Sequence, residues 1–113
     1  IAHPLNERLQ ACYRTVLLNE TGTEPSDLFR QSAKADKAAG VHYYSQPEEL
    51  CARAFEAFVQ DAACKNAFLV RGTRESEEAK LGLYPQGEQR ERINVAFLNY
   101  FHNLGRALQR ADP

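Results

Sequence analysis

A mainly α-helical single domain of four helices, with at most a short strand, is what this sequence predicts. Three observations carry that reading. Apolar residues recur at three- and four-residue steps through the long stretches of the chain, as they do along one face of a helix. Residues that start and stop helices stand at the ends of those stretches: Pro4, Ser26, Gly40 and Ser45. Val41 to Tyr44 is short and β-prone, and Asn66 to Val70 can be a short buried strand or a helix-to-loop connection, so at most a minor strand pairing is expected.

The first helix is expected from Pro4 to Asn19, where Leu5, Leu9, Cys12, Tyr13, Val16 and Leu17 keep the helical spacing. Proline suits a first turn, because the N–H it lacks would have no intrahelical acceptor there. The run from Glu20 to Pro25 breaks the pattern, and Ser26 can cap a second helix that carries Leu28 and Phe29 and continues to Ala39, with Gly40 as the stop. A third helix is expected from Gln46 to about Cys64, with Cys51, Ala54, Phe55, Phe58 and Ala62 as its apolar stripe. Its start is read as a capping box of Ser45 and Glu48. Residues 72 to 80 are polar and charged without a period, and predict an exposed, mobile loop. Beyond the turn-rich stretch from Leu81 to Gly87, the residues Ile93, Phe97, Tyr100, Phe101, Leu104 and Leu108 share one face of a last helix, from about Glu88 to Arg110.

Composition narrows the function classes. The 113 residues carry 14 basic and 15 acidic side chains, a net charge of −1, which argues against a dedicated nucleic-acid binder. The patch that comes nearest to one is Arg71, Arg74, Arg90 and Arg92, and acidic residues are interspersed with it. No apolar run approaches the ~18 residues of a membrane span, so no membrane partner is expected. The three cysteines, Cys12, Cys51 and Cys64, leave one unpaired in any disulfide scheme and form no C-x-x-C, which points to a reducing, cytoplasmic setting. The chain has no methionine and begins at Ile1, which suggests that something upstream has been removed.

No HExxH, GxSxG, Walker or GxGxxG motif occurs, so no self-sufficient enzyme is legible by motif. The informative stretch runs from Tyr43 to Phe58. Glu49, Ala52, Ala54 and Phe55 fit an E-x-x-A-x-A-F sequence with a tyrosine shortly upstream. In this it resembles the helix that delivers the glutamate zinc ligand in zincin metallopeptidases of the anthrax lethal factor type. A longer likeness covers about Pro4 to Phe101. It includes Lys34 and Asp36, the pair Tyr43–Tyr44, and the block Ala52-Arg53-Ala54-Phe55-Glu56-Ala57-Phe58. It continues through Asn66, Phe68 to Val70, Tyr84–Pro85, Gly87–Glu88, Arg90, Arg92–Ile93 and Phe97. In this order of features the chain resembles the first type of large polyvalent protein-associated domain. Such domains occur in very long proteins of phages and conjugative elements, and often follow an HExxH-like helix.

The resemblance implies the carboxyl-terminal part of a zincin-like fold, a fragment of a longer chain cut downstream of the helix that holds the zinc histidines. It implies Glu49 as a metal ligand and Tyr43 as the catalytic hydrogen-bond donor to a tetrahedral intermediate. Zinc would then be bound in the intact parent, with peptide hydrolysis only where an upstream HExxH is present, and no cofactor in this chain. The partners implied are the rest of the parent polypeptide and a protein or peptide.

The same residues have plainer readings. Glu49 and Arg53, at i and i+4, can form a surface ion pair, and Glu48 and Glu49 are first-turn acids that suit the helix dipole. Tyr43 and Tyr44 can be aromatics at the edge of the core, and His42 either a ligand or a half-buried histidine bonded to backbone. Phe97, Tyr100 and Phe101 read as core, or as a partner-binding surface if the fold is truncated. The alternative function is accordingly a catalytically inactive helical interaction module.

Overall fold

Helices begin and end where capping chemistry permits. The structure, a computed structural model, describes residues 4–63 and 76–111. Among them are α1 (Pro4–Leu17), α2 (Asp27–Ala39), α3 (Pro47–Ala63), the one-turn α4 (Glu77–Lys80) and α5 (Gly87–Ala111). The four long helices match the sequence expectation to within one or two residues at each described end. Ser26 caps α2 by accepting the Phe29 N–H, and Gly40 closes it in the left-handed region at φ 70°, where a side chain would be strained.

Helix α5 is the organising element. It packs most extensively on α1 and then on α3, and the two terminal helices run antiparallel. Cys12 and Val16 from α1, Leu28 from α2, Leu50 and Ala54 from α3, and Ile93 and Phe97 from α5 form the buried core. Gln89 ties three elements together from within it: its Oε1 accepts the Leu28 N–H at 3.2 Å, and its Nε2 donates to the Thr15 and Val16 carbonyls.

Three local expectations change. Ser45 is not the cap of α3, because its hydroxyl donates to Asp36 Oδ2 at 2.6 Å. The helix instead starts at Pro47, and the Gln46 carbonyl accepts the N–H groups of Glu49 and Leu50. Val41 to Tyr44 is not a strand, and among the described residues the β pairing is confined to an isolated bridge between Leu18 and Pro25. The Tyr44 N–H is held by Asp36, so it does not reach for a neighbouring strand. The expected loop at 72 to 80 contains α4, with Ser76 accepting the Ala79 N–H and Ala79 fully buried; residues 72 to 75 lie outside the described residues. A single buried alanine has no periodicity to betray it. Asn66 to Val70, Cys64 and His3 also lie outside the described residues.

The stretch from Leu81 to Gly87 is part of the core. Leu83 is 1% exposed and Pro85 is fully buried. Gly82 makes the insertion feasible: at φ 80°, a Cβ there would stand 2.8 Å from Gln31 Cβ and Cγ.

Candidate functional site

The connector between α2 and α3 brings the chemistry-bearing residues together. Asp36, in the last turn of α2 and 4% exposed, accepts the backbone N–H groups of Tyr44 at 2.7 Å and Ser45 at 2.9 Å, as well as the Ser45 hydroxyl. Burial alone would raise its pKa. The bonds from Ser45, Tyr44 and Tyr43 outweigh that and hold it down at about 2. The connector is thereby folded back onto the end of α2.

Arg53 supports the same connector from below. It is 9% exposed, and it donates from Nε to the Leu83 carbonyl and from Nη2 to the Tyr44 carbonyl, both at 2.6 Å, and to Ser32 Oγ at 2.9 Å. Its guanidinium carbon lies 5.5 Å from the centre of the Tyr44 ring. Burial pulls its pKa down, and the nearby Glu49 carboxylate acts in the opposite direction. The surface ion pair with Glu49 that the i, i+4 spacing suggests is therefore not the role of Arg53. Its hydrogen bonds run to carbonyls and a hydroxyl drawn from α2, the connector and the 83 turn.

On this frame stand Tyr43 and Glu49. Tyr43 is half exposed and packs edge-to-face on Tyr44, with ring centres 5.1 Å apart at 75°. The Glu49 carboxylate, by attracting the phenol proton and by its charge, holds the phenol above its ordinary value. Glu49 is half-buried in the first turn of α3. The two candidate site residues thus feel each other electrostatically on a connector and helix start held by a buried arginine and a buried aspartate. His42, beside them in sequence, is exposed, and no three His, Cys, Asp or Glu side chains converge among the described residues.

The block from Ala52 to Phe58 is mostly structural in this setting. Ala54 and Ala57 are fully buried. Glu56 accepts the Tyr84 hydroxyl at 2.9 Å, so Arg53 and Glu56, one turn apart, grip successive residues, Leu83 and Tyr84. Burial, then the Glu56 bond, pushes the Tyr84 pKa up to about 12. Phe55 and Phe58 meet Phe97 and Phe101 in a cluster of rings at 5.4 to 6.4 Å. This cluster is both core and surface: Phe97 is 8% exposed, whereas Phe55 is 41% and Phe101 38%.

Arg90, one of the arginines considered for nucleic acid, is 3% exposed. It makes a two-pronged bond to Asp61, Nε to Oδ2 at 2.8 Å and Nη2 to Oδ1 at 2.9 Å, and Nη1 donates to the Pro85 carbonyl. Arg92 is half-buried beside α1, and Arg71 and Arg74 lie outside the described residues. Sequence reasoning named Asp36 and Arg90 in the family likeness but not as buried supports, and it missed Gln89 altogether. Their signal is faint, because a charged residue on an otherwise polar face looks the same whether or not another element covers it.

With this arrangement in view, comparison with known families is decisive: the model for large polyvalent protein-associated domain 1 matches residues 35–108. The chain belongs to this family. The match takes in Asp36, Tyr43, Glu49, Arg53, Glu56, the 83–85 turn and Arg90, so the polyvalent domain coincides with the buried polar frame and the two candidate residues that it carries. No curated protein and no solved structure matches the chain. Among the described residues of this polyvalent domain, no helix is long and apolar enough to cross a membrane.

Proposed function

We propose that this polyvalent domain is a zincin-like accessory domain of a large phage or mobile-element protein, in which α3 presents Glu49 as one ligand of a zinc site and Tyr43 stands beside it as a hydrogen-bond donor. The observation that supports this reading is the placing of Glu49, a half-buried carboxylate in the first turn of α3, after a connector pinned from two sides that carries Tyr43, whose phenol pKa that carboxylate raises. A catalytic zinc takes three protein ligands and keeps one position open for water. Among the described residues the chain offers one, so the donor set alone does not fit a zinc ion. In the intact parent the remaining ligands would come from an HExxH helix elsewhere in the polypeptide, and zinc there would activate a water molecule.

Calorimetric titration of zinc into the chain and into its Glu49→Ala variant tests the ligand role. Roughly tenfold or greater weakening in the variant supports Glu49 as a ligand, and equal, weak binding in both removes it. An HExxH in the parent reading frame is the second requirement, and its absence would sink the hydrolytic reading.

A second reading, a catalytically inactive helical interaction module, is favoured by a different observation. Arg53 and Glu56, the charged residues of the block from Ala52 to Phe58, are engaged with Leu83 and Tyr84, as structural residues would be.

A further inference from the structure

The face of α5 that points away from the core carries a self-complementary pattern. Glu88, Glu91, Val95, Leu98, His102 and Arg106 follow one another at three- and four-residue steps and are all exposed. On an ideal helix they fall within an arc of about 80°. Val95 and Leu98, at the middle of this stripe, are 58% and 60% exposed. The acids stand at its start and the arginine towards its end. That order also suits the dipole of α5 itself, but a dipole does not account for the two apolar side chains between them.

We propose that α5 pairs in antiparallel fashion with α5 of a second copy of this chain, about a two-fold axis near Leu98. An isologous contact sets each residue against its mirror position in the partner. With the axis between Leu98 and Asn99, Leu98 meets the equivalent turn of the second copy, Val95 lies opposite His102, and Glu91 lies opposite Arg106 twice over. A parallel pairing would oppose Glu91 to Glu91 and Arg106 to Arg106, so charge selects the antiparallel arrangement. Beside the stripe, the small side chains Ala11 and Ala96 leave a groove of 580 Å³ between α1 and α5, which gives the second copy's side chains room to interdigitate. This interface goes beyond the zinc reading and does not rest on it, because Tyr43 and Glu49 are not part of the stripe.

Sedimentation velocity of the whole chain across micromolar to millimolar concentrations, at low salt, tests the proposal. A concentration-dependent dimer is expected, with Leu98→Glu monomeric throughout. Glu91→Arg and Arg106→Glu should each weaken the dimer about tenfold, since one reversal turns two attractive pairs into repulsive ones. Combining the two reversals should restore wild-type affinity to within about twofold, because the pairs re-form with opposite sign. All three positions are exposed, and unchanged far-ultraviolet circular dichroism will show that the variants fold. A wild type that stays monomeric at every concentration overturns the proposal, even if the stripe binds some other helix. So does a dimer indifferent to Leu98→Glu, or one that the combined reversal fails to restore.

Discussion

Arg53 Nε donates to the carbonyl oxygen of Leu83 at 2.6 Å, across 30 residues of sequence. Through that bond the middle of α3 holds the turn that delivers Leu83 and Pro85 to the core, while the other arm of the same guanidinium holds Ser32 and Tyr44. One side chain thus joins α2, the site connector and the 83 turn.

Removing it should be costly. Arg53→Ala leaves the Leu83 and Tyr44 carbonyls and Ser32 Oγ without this donor in a largely buried setting, and about 3 kcal/mol of stability should be lost. Arg53→Lys keeps the charge but not the planar fork, and should recover less than half of that. Urea unfolding of both variants gives the comparison, and a wild-type midpoint for Arg53→Lys would contradict the geometric account.

Asp36 should make stability depend on pH in the acid range. Its folded pKa of about 2 lies below the ordinary 3.8, so the unfolded chain takes up a proton at higher pH than the folded one. The contribution is fully present above the ordinary value and is lost as the pH falls from there through about 2. Urea midpoints measured across this window should fall more steeply for the wild type than for Asp36→Asn, and parallel curves would show that the carboxylate is not held as described.

Two glycines with the same sign of φ should respond differently to alanine. Gly22→Ala, at φ 73° with open space around it, should lose about 1 kcal/mol from backbone strain alone. Gly82→Ala adds a collision with Gln31 Cβ and Cγ at 2.8 Å, close to the backbone where the side chain cannot swing away, and should lose about 2 to 3 kcal/mol. Thermal unfolding orders the two.

The influence of Glu49 on Tyr43 is open to direct spectroscopic observation. Because the Glu49 carboxylate holds the Tyr43 phenol above its ordinary value of 10, Glu49→Ala should bring the Tyr43 titration down towards that value. A two-dimensional NMR titration of the tyrosine rings resolves it from Tyr84, whose pKa should stay near 12. A Tyr43 curve that does not move would separate the two residues.

The helices were legible because their signals are local. Apolar spacing, Pro4, Ser26 and Gly40 act within a few residues of themselves, so the four long helices and most of the core faces can be read from the chain in order. Ser45 shows where such reading stops. A serine three residues before a glutamate satisfies a capping box in sequence, yet its hydroxyl found the better acceptor in Asp36, nine residues back and buried. Periodicity likewise does not register α4, which has four residues and one buried alanine. At the candidate site, sequence likeness picked out Tyr43 and Glu49 but not that Arg53 faces inward.

By itself the sequence determined the helical class, the order of the helices and the family likeness carried by the block around Arg53, because these depend on spacing and residue type along the chain. Only the tertiary structure decided which charged residues are buried. Arg53, Arg90 and Asp36 read as ordinary polar positions until other elements close over them. Desolvation then makes each costly unless its partners are in place, and those partners come from segments far away in sequence.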